Sequence, residues 1–350
     1  MRCRALLSIA LVACSLVVRA DEIDDLVKAN MEQYHIAGVA VGVAVDGELV
    51  EKRCYGLANL ETMAPVTPQT VFKIASLSKA FCASVTMLLI NEGKLSLEDR
   101  VVDVLPSFPR AWDSVRVKHL LSHTSGIPDA PGFQFSRQYT DEEFFALYGD
   151  RALSTEPGAT YRYNNFGYAT LGLVVGRVSG KPLRDAVRER IFEPLGMSAS
   201  LYYDMARVVP SRASGYSWRE GAHVNANPAR PQVYDGSGGI LTSLEDYAKW
   251  DAALRTDKPL NGLLRRQMWT KFVLNDGTPG TYGFGWFPDT LDGERTVHQN
   301  GTTQGFTSHV IRGLDSGVTV FVFRNGAGGG AFDLARAVFR AHKKRAAKAA

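Results

Sequence analysis

The chain has 350 residues, 45% of them hydrophobic and 22% charged, which is ordinary for a soluble globular protein. That length suits one large domain or two closely packed ones. Forty basic residues against 36 acidic ones give a formal charge of +4, too small an excess to mark a nucleic-acid partner.

The N-terminus reads as separate from the fold. Met1-Arg2-Cys3-Arg4 is a basic start, and Ala5 to Val18 is an apolar run too short to span a bilayer comfortably. Val18-Arg19-Ala20 places cleavage before Asp21, so residues 1–20 are expected to be a signal peptide and 21–350 the mature domain. A competing reading is the lipoprotein-like Leu11-Val12-Ala13-Cys14, with a lipid anchor at Cys14. Both readings export the chain, to the periplasm or beyond, with no membrane span. Loss of Arg2, Arg4 and Arg19 leaves 37 basic residues against 36 acidic ones. Cys54 and Cys82 then remain, and an oxidising compartment permits a disulfide or two free thiols.

Residues 21–33 carry apolar side chains at helical spacing. Val39 to Val45, Asp46-Gly47 and Glu48 to Tyr55 read as a β-hairpin around an Asp-Gly turn. Next comes the stretch that dominates the sequence. From Ala80 to Ile90 apolar side chains cover nearly every face of a helix, so that helix belongs in a core, and Gly93 is a left-handed stop for it. Lys79 opens this helix, where a cation is expensive unless paired or neutral. Ser76, three residues earlier, shares its face, whereas Ser78 does not. A serine at a helix start with a lysine one turn on is a way to activate a hydroxyl.

Ser122 to Pro128 is a turn-rich loop. His119 and His123 have zinc-helix spacing but no glutamate and no third ligand, so they read as packing residues and no metal is expected. Residues 141–205 alternate helices and loops, and a polar turn, Glu156 to Tyr168, holds Tyr163-Asn164-Asn165. A phenol is a third proton carrier if a cation supports its anion. Gly236 to Ile240 is a loop before a helix at 243–254. Beyond Tyr282, residues 283–287, 296–299, 305–312 and 317–323 read as antiparallel strands, and 331–342 as a closing helix. Gly326 to Gly330 lacks the Lys-Ser/Thr of a phosphate loop, and the basic run 340–348 reads as a solvated helix end. Strands at both ends with helices between them give an α/β (α+β) class: a sheet part at about 21–75 and 236–350, and a helical part at about 76–235.

At this point the chain resembles the class C β-lactamase-like serine hydrolases, which include β-lactamases, D-Ala-D-Ala carboxypeptidases, D-amino-acid peptidases and esterases. The resemblance rests on eight pieces in register. They are Phe72-Lys73-Ile74-Ala75-Ser76, Leu120 to Gly126, Glu156-Pro157-Gly158, Tyr163 to Tyr168, Pro194 to Met197, Gly238-Gly239, Tyr282 to Trp286 and Gly301 to Phe306. It implies a β-lactamase/transpeptidase-like fold and an acyl-enzyme mechanism without cofactor, acting on a small molecule or short peptide. Ser76 would be the nucleophile, with Lys79 and Tyr163 carrying its proton and Asn165 bonding Lys79 or the substrate. The backbone N–H groups of Ser76 and Thr302 would form the oxyanion hole.

One position departs from the pattern. The family's third motif is Lys or His, one residue, Gly, and a second Gly four positions on. Counting back from Gly301 and Gly305 puts Gln299 in the basic slot, with His298 one residue out of register. Strand alternation turns His298 to the opposite face and expects Gln299 in the cleft. A neutral residue there weakens attraction for a substrate carboxylate and favours a neutral ester or amide over a penicillin. The alternative from another class is a penicillin-recognising sensor or scaffold that does not turn over.

Overall fold

The computed structural model describes residues 21–204, 206–226 and 231–349. The signal-peptide and Cys14 expectations fall on residues 1–20, outside the described residues. The strands in chain order are β1 (Gly38–Val45), β2 (Glu48–Asn59), β3 (Ala64–Pro65), β4 (Phe72–Lys73), β5 (Leu201–Tyr202) and β6 (Tyr216–Arg219). They continue with β7 (Ala222–Asn225), β8 (Ile240–Thr242), β9 (Phe287–Leu291), β10 (Glu294–Thr303), β11 (Phe306–Gly313) and β12 (Val318–Arg324).

The two ends of the chain build one seven-stranded antiparallel sheet, ordered β3-β2-β1-β12-β11-β10-β9. They meet where Val39 to Val45 of β1 pair with Arg324 to Val318 of β12. Strand β1, Gly-Val-Ala-Val-Gly-Val-Ala-Val, shows how the sequence sets the layers. Its Val39, Val41 and Val43 face one side, where the helices Glu22–Tyr34 and Ala331–Ala349 cover them. Its Ala40, Gly42 and Ala44 face the other, where small residues let the helix Leu244–Ala253 lie close. A Cβ at Gly42 would stand 2.8 Å from Leu244 Cδ1. The hairpin to β2 turns at Asp46 (φ 49°) and Gly47 (φ 88°), both left-handed as a two-residue Asp-Gly turn requires.

On that second side lies the helix Ser78–Asn91, buried continuously from Ser78 to Met87. Phe81 stacks on Trp250 with 4.8 Å between ring centres and meets Phe192 and Tyr247 edge-on. Gly93 (φ 68°) ends the helix, and the Lys94 N–H donates back to the Leu89 carbonyl, a Schellman-type stop. The helix Asn165–Ser179 packs across it from the inserted segment. That segment also holds the hairpin β6–β7.

One local expectation changes. Residues 283–286 are a loop, not a strand: the Gly283 N–H donates to the Trp286 carbonyl, and Gly285 sits at φ 82°. A Cβ on Gly285 would fall 2.9 Å from Ala80 Cα, so this loop touches the central helix through bare backbone. The basic C-terminal run is a largely exposed helix end, as read, whose side chains pair across the surface. Arg340 pairs with Asp292, Lys343 with Glu294, and Arg345 with Asp21 and Glu51, tying the last helix to the sheet and the first helix. Cys54 and Cys82 are free thiols. Among the described residues no helix is long and apolar enough to cross a membrane, and no group of His, Cys, Asp and Glu could hold a metal ion.

Under the C-terminal helix, His298 stacks on Phe287 and lies 5.3 Å ring to ring from the fully buried His309. Burial holds both imidazoles below their usual range, His298 at about 4 despite Asp289 nearby, with Arg336 pushing the same way as burial. A histidine with a depressed folded pKa stabilises fully above its unfolded value and loses that contribution as pH falls. Stability should therefore drop from about pH 6.5 towards 4, by up to ~1.4 kcal/mol per pH unit for each such histidine. Denaturant midpoints measured against pH should show a shallower acid limb in His298→Phe; an unchanged limb would refute the buried neutral imidazole.

Candidate active site

Ser76 lies on a single 3₁₀ turn, Ala75–Leu77, wedged between β4 and the central helix. Ala75 is left-handed at φ 48°, a conformation costing a non-glycine residue about 1 kcal/mol or more. The turn is held on two sides. The Ile74 N–H donates to the Ile240 carbonyl of β8, and the Ile74 carbonyl accepts from Ser308 Oγ of β11 at 2.8 Å. Gly301 of β10 is the third restraint, because a Cβ there would stand 2.2 Å from the Ile74 oxygen.

One turn later, Lys79 is fully buried. Its Nζ lies 3.1 Å from Ser76 Oγ, 2.8 Å from Asn165 Oδ1 and 2.6 Å from the Ser237 carbonyl oxygen. A buried amino group is tolerable only with its hydrogen bonds met, and three separate segments meet them here. The same Nζ stands 4.8 Å from the centre of the Tyr163 ring.

The Tyr163-Asn164-Asn165 stretch delivers its side chains through a helix cap. Asn164 is the N-cap of Asn165–Ser179: its Oδ1 accepts from the Gly167 N–H, and its Nδ2 donates to the Ile127 carbonyl. The cap turns Asn164 into the protein and leaves Asn165, the first helical residue, facing Lys79. Tyr163, still on extended chain, keeps about a third of its surface exposed and rests on the His123 ring, 4.3 Å centre to centre. His123 is buried, accepts from the Asn164 N–H through Nδ1, and is held well below its usual pKa by burial and by Lys79. His123 is thus a neutral support for Tyr163, and His119 likewise bonds a backbone N–H, that of Arg116. Ser78 is occupied elsewhere, its Oγ accepting from the Ile240 N–H.

A cleft of about 300 Å³ opens beside Ser76, with Asn165, Ser237, Gly239 and Thr302 on its rim. Phe135, Tyr203, Tyr234, Lys73, Thr303 and Gln304 wall its outer part. Strand β9 pairs with β10 only from Glu294 to His298, and further along β10 Thr302 and Thr303 line the cleft.

The third-motif residues lie where neither was needed as a cleft cation. His298 faces away, under the C-terminal helix, as alternation required. Gln299 is on the inner face yet is not in the cleft: it is fully buried, donating to Tyr282 Oη at 2.5 Å and to the Gly285 carbonyl at 3.1 Å. Its own Oε1 accepts from the Asn300 N–H. The expectation that Gln299 lines the cleft is corrected by that satisfied bonding to the loop on the central helix.

Sequence reasoning missed the Ser237 carbonyl. Its signal was present in Gly236-Ser237-Gly238-Gly239: a Cβ at Gly236 would meet the Tyr168 oxygen at 2.0 Å, and Gly239 has φ 123°. Such glycines mark backbone brought against other backbone.

Ser76, Lys79 and Asn165 meet because a sheet closed from both ends of the chain clasps an inserted helical segment, and that is the β-lactamase/transpeptidase-like fold. Comparison with known proteins gives the family. The Beta-lactamase family model matches residues 23–343, and the chain belongs to this family of serine hydrolases. It is 28% identical to penicillin-binding protein 4* of Bacillus subtilis over 315 residues, 84% of this chain and 69% of that one. With a D-aminopeptidase of Gluconobacter oxydans it shares 26% over 297 residues, 82% of this chain and 55% of the relative. The solved octameric penicillin-binding protein homologue from Pyrococcus abyssi superposes with a TM-score of 0.79 at 27% identity, covering 91% of this chain and 76% of that one. The chain thus spans little more than half the D-aminopeptidase.

The close approach of β10 to the nucleophile turn is directly testable. Gly301→Ala must push β10 away from Ile74, misplacing Thr302. Hydrolytic turnover of the folded protein should fall about a hundredfold or more. Unchanged turnover would show that this contact does not set the site.

Proposed function

We propose that the chain is an exported serine hydrolase that cleaves an ester or amide through an acyl-enzyme on Ser76. The observation that carries this reading is the bonding of Lys79. Two of its partners, the Asn165 and Ser237 oxygens, are carbonyls and only accept. Lys79 donates to both, and in its neutral form it can also take the Ser76 proton, since Ser76 Oγ lies 3.1 Å away.

In the forward step the Ser76 O–H proton passes to Lys79 as Oγ bonds to the substrate carbonyl carbon. The oxygen left negative is stabilised by the backbone N–H groups of Ser76, on the first turn of its short helix, and of Thr302 across the cleft. Such donors are worth about 3 to 4 kcal/mol each. The proton then moves from Lys79, with Tyr163 beside it, to the departing alkoxide or amine. Water, activated by the same pair, returns the acyl group as acid and restores the Ser76 hydroxyl. Asn165 fixes Lys79 throughout. A D-aminopeptidase among the relatives supports amide cleavage, and relatives named for binding penicillin support a β-lactam as an acylating probe. The second reading, a penicillin-recognising protein that acylates once and stops, draws on Gln299 in the family's basic slot.

Intact-protein mass after mixing with a fluorescent penicillin and, separately, with p-nitrophenyl acetate tests the proposal. The expected result is an adduct on wild type that is subsequently released, and none on Ser76→Ala, which should keep its melting temperature. Unchanged hydrolysis in Ser76→Ala would sink the assignment, and an adduct that is never released would favour the sensor. Lys79→Met, which fills the same volume without the amine, should lower acylation by a factor on the order of 10³. A variant keeping half its rate would refute the role of Lys79.

A further inference from the structure

Ser237 serves Lys79 with its backbone carbonyl, 2.6 Å from Nζ, so this acceptor is only as well placed as the 3₁₀ turn Gln232–Ser237 that carries it. That turn is a thin wall. Tyr234 and Ser237 line the cleft beside Ser76, whereas Val233, Asp235 and Gly236 line a second hollow of about 410 Å³. Between the two spaces the turn meets the helix Asn165–Ser179 through bare backbone. A Cβ on Gly236 would stand 2.0 Å from the Tyr168 oxygen, and one on Gly172 3.2 Å from Gly236 Cα. Such contact sets how near the turn comes but gives it no side chain to grip.

A grip comes from Asp235, the one charged residue of the six. It is buried, and its Oδ2 accepts from Arg184 Nε at 3.0 Å and from Arg184 Nη2 at 2.7 Å. Two bonds from a planar guanidinium fix direction as well as distance. Arg184 itself stands on the helix Leu183–Val187. Only Gly236 separates Asp235 from Ser237, and short bonds stiffen the turn between them. The Gly238 N–H donates to the Asp235 carbonyl, and Ser237 Oγ donates to the Tyr234 carbonyl. A buried ion pair is weak evidence for stability, since apolar replacements often do as well. This one stands directly behind an acceptor of the reacting amine. We propose that Arg184 is a positioning residue for acyl transfer: acting through Asp235, it holds the turn so that the Ser237 carbonyl stays on Lys79. A displacement of about 1 Å would break that bond and is enough to cost about a hundredfold in rate. The inference rests on the acyl-enzyme reading, in which Lys79 moves the Ser76 proton.

Stopped-flow kinetics with p-nitrophenyl acetate separate the acylation rate constant from the binding constant of the ester. Arg184→Met should lower the rate constant by about tenfold to a hundredfold and leave binding within about twofold. Arg184→Lys, which keeps the charge without the planar fork, should lose less. Because Arg184→Met leaves a buried carboxylate unmatched, the double variant Arg184→Met/Asp235→Asn, which removes that charge too, guards against misfolding. Its rate should match that of Arg184→Met, whereas independent, additive losses from the two substitutions would overturn action through Asp235. An unchanged rate constant, or a loss confined to binding, would also overturn the proposal. A second measurement needs no turnover. The ¹⁵N resonance of Lys79 Nζ, assigned by its loss in Lys79→Met, should move in Arg184→Met. It should stay in Arg188→Met, whose ion pairs with Asp185 and Glu193 lie on the surface. A resonance that stays in Arg184→Met refutes the proposal. One that moves in a protein that no ester acylates supports the Arg184 contact while the acyl-enzyme reading fails, so the two failures are told apart.

Discussion

A lysine amine inside an apolar helix is the constraint on which the rest depends. Every position from Ser78 to Met87 is buried, so the Lys79 nitrogen has no water to fall back on and must find its hydrogen bonds in the protein. Ser76 comes from the turn before the helix, Asn165 from the cap of an inserted helix, and the Ser237 oxygen from a glycine-flanked loop. Bringing these together demands bare backbone at several contacts. Gly236 lies on Tyr168, Gly285 on Ala80 and Gly301 on Ile74, and a methyl at any of them would collide. The same close packing that satisfies one buried amine thus also shapes the cleft, so core and site are one problem with one solution.

What was legible in the sequence follows from which signals are local. The Asp46-Gly47 hairpin, the all-apolar helix and its Gly93 stop rest on turn chemistry and periodicity, and they appear as read. Ser76 and Lys79 share a face because three-residue spacing on a helical turn puts them there. Strand alternation likewise separated His298 from Gln299 correctly by face. It could not give depth: whether an inward side chain reaches the open cleft or the interior depends on what lies beneath, here Tyr282 and the loop at Gly285. That same loop misled the reading of 283–286, since Gly-Phe-Gly-Trp-Phe alternates like a strand while actually fitting aromatic rings and bare backbone against a helix. The Ser237 contribution is a carbonyl, which every residue possesses, so only the flanking glycines hinted at it. Phe135 and Tyr203 come from loops and Tyr234 from a short 3₁₀ helix, Gln232–Ser237, with no periodicity to connect them.

The buried glutamine has its own logic. Gln299 satisfies its amide with Tyr282, Gly285 and the adjacent backbone, and so fastens β10 to the loop that rests on Ala80 and the Lys79 carbonyl. A lysine at this position would bring a charge into the interior, and none of the partners of Gln299 is a carboxylate that could receive it. Burying an unpaired charge costs several kcal/mol, whereas a neutral amide with met hydrogen bonds costs little. The neutral residue at the motif position therefore suits its burial and is no sign in itself that the site is defective.

The arrangement around Lys79 also explains how one group could serve both halves of an acyl-transfer cycle without moving. The Asn165 and Ser237 oxygens can only accept, so in either protonation state two N–H bonds remain committed to them. The proposed proton exchange takes the direction that faces Ser76 and lies against Tyr163. As an amine the nitrogen presents a lone pair there and can take the serine proton; as an ammonium it presents an N–H and can return that proton to a leaving group. Two fixed acceptors thus hold a flexible, four-carbon side chain in place for the proposed exchange, and the core that buries it supplies the rigidity such an exchange requires.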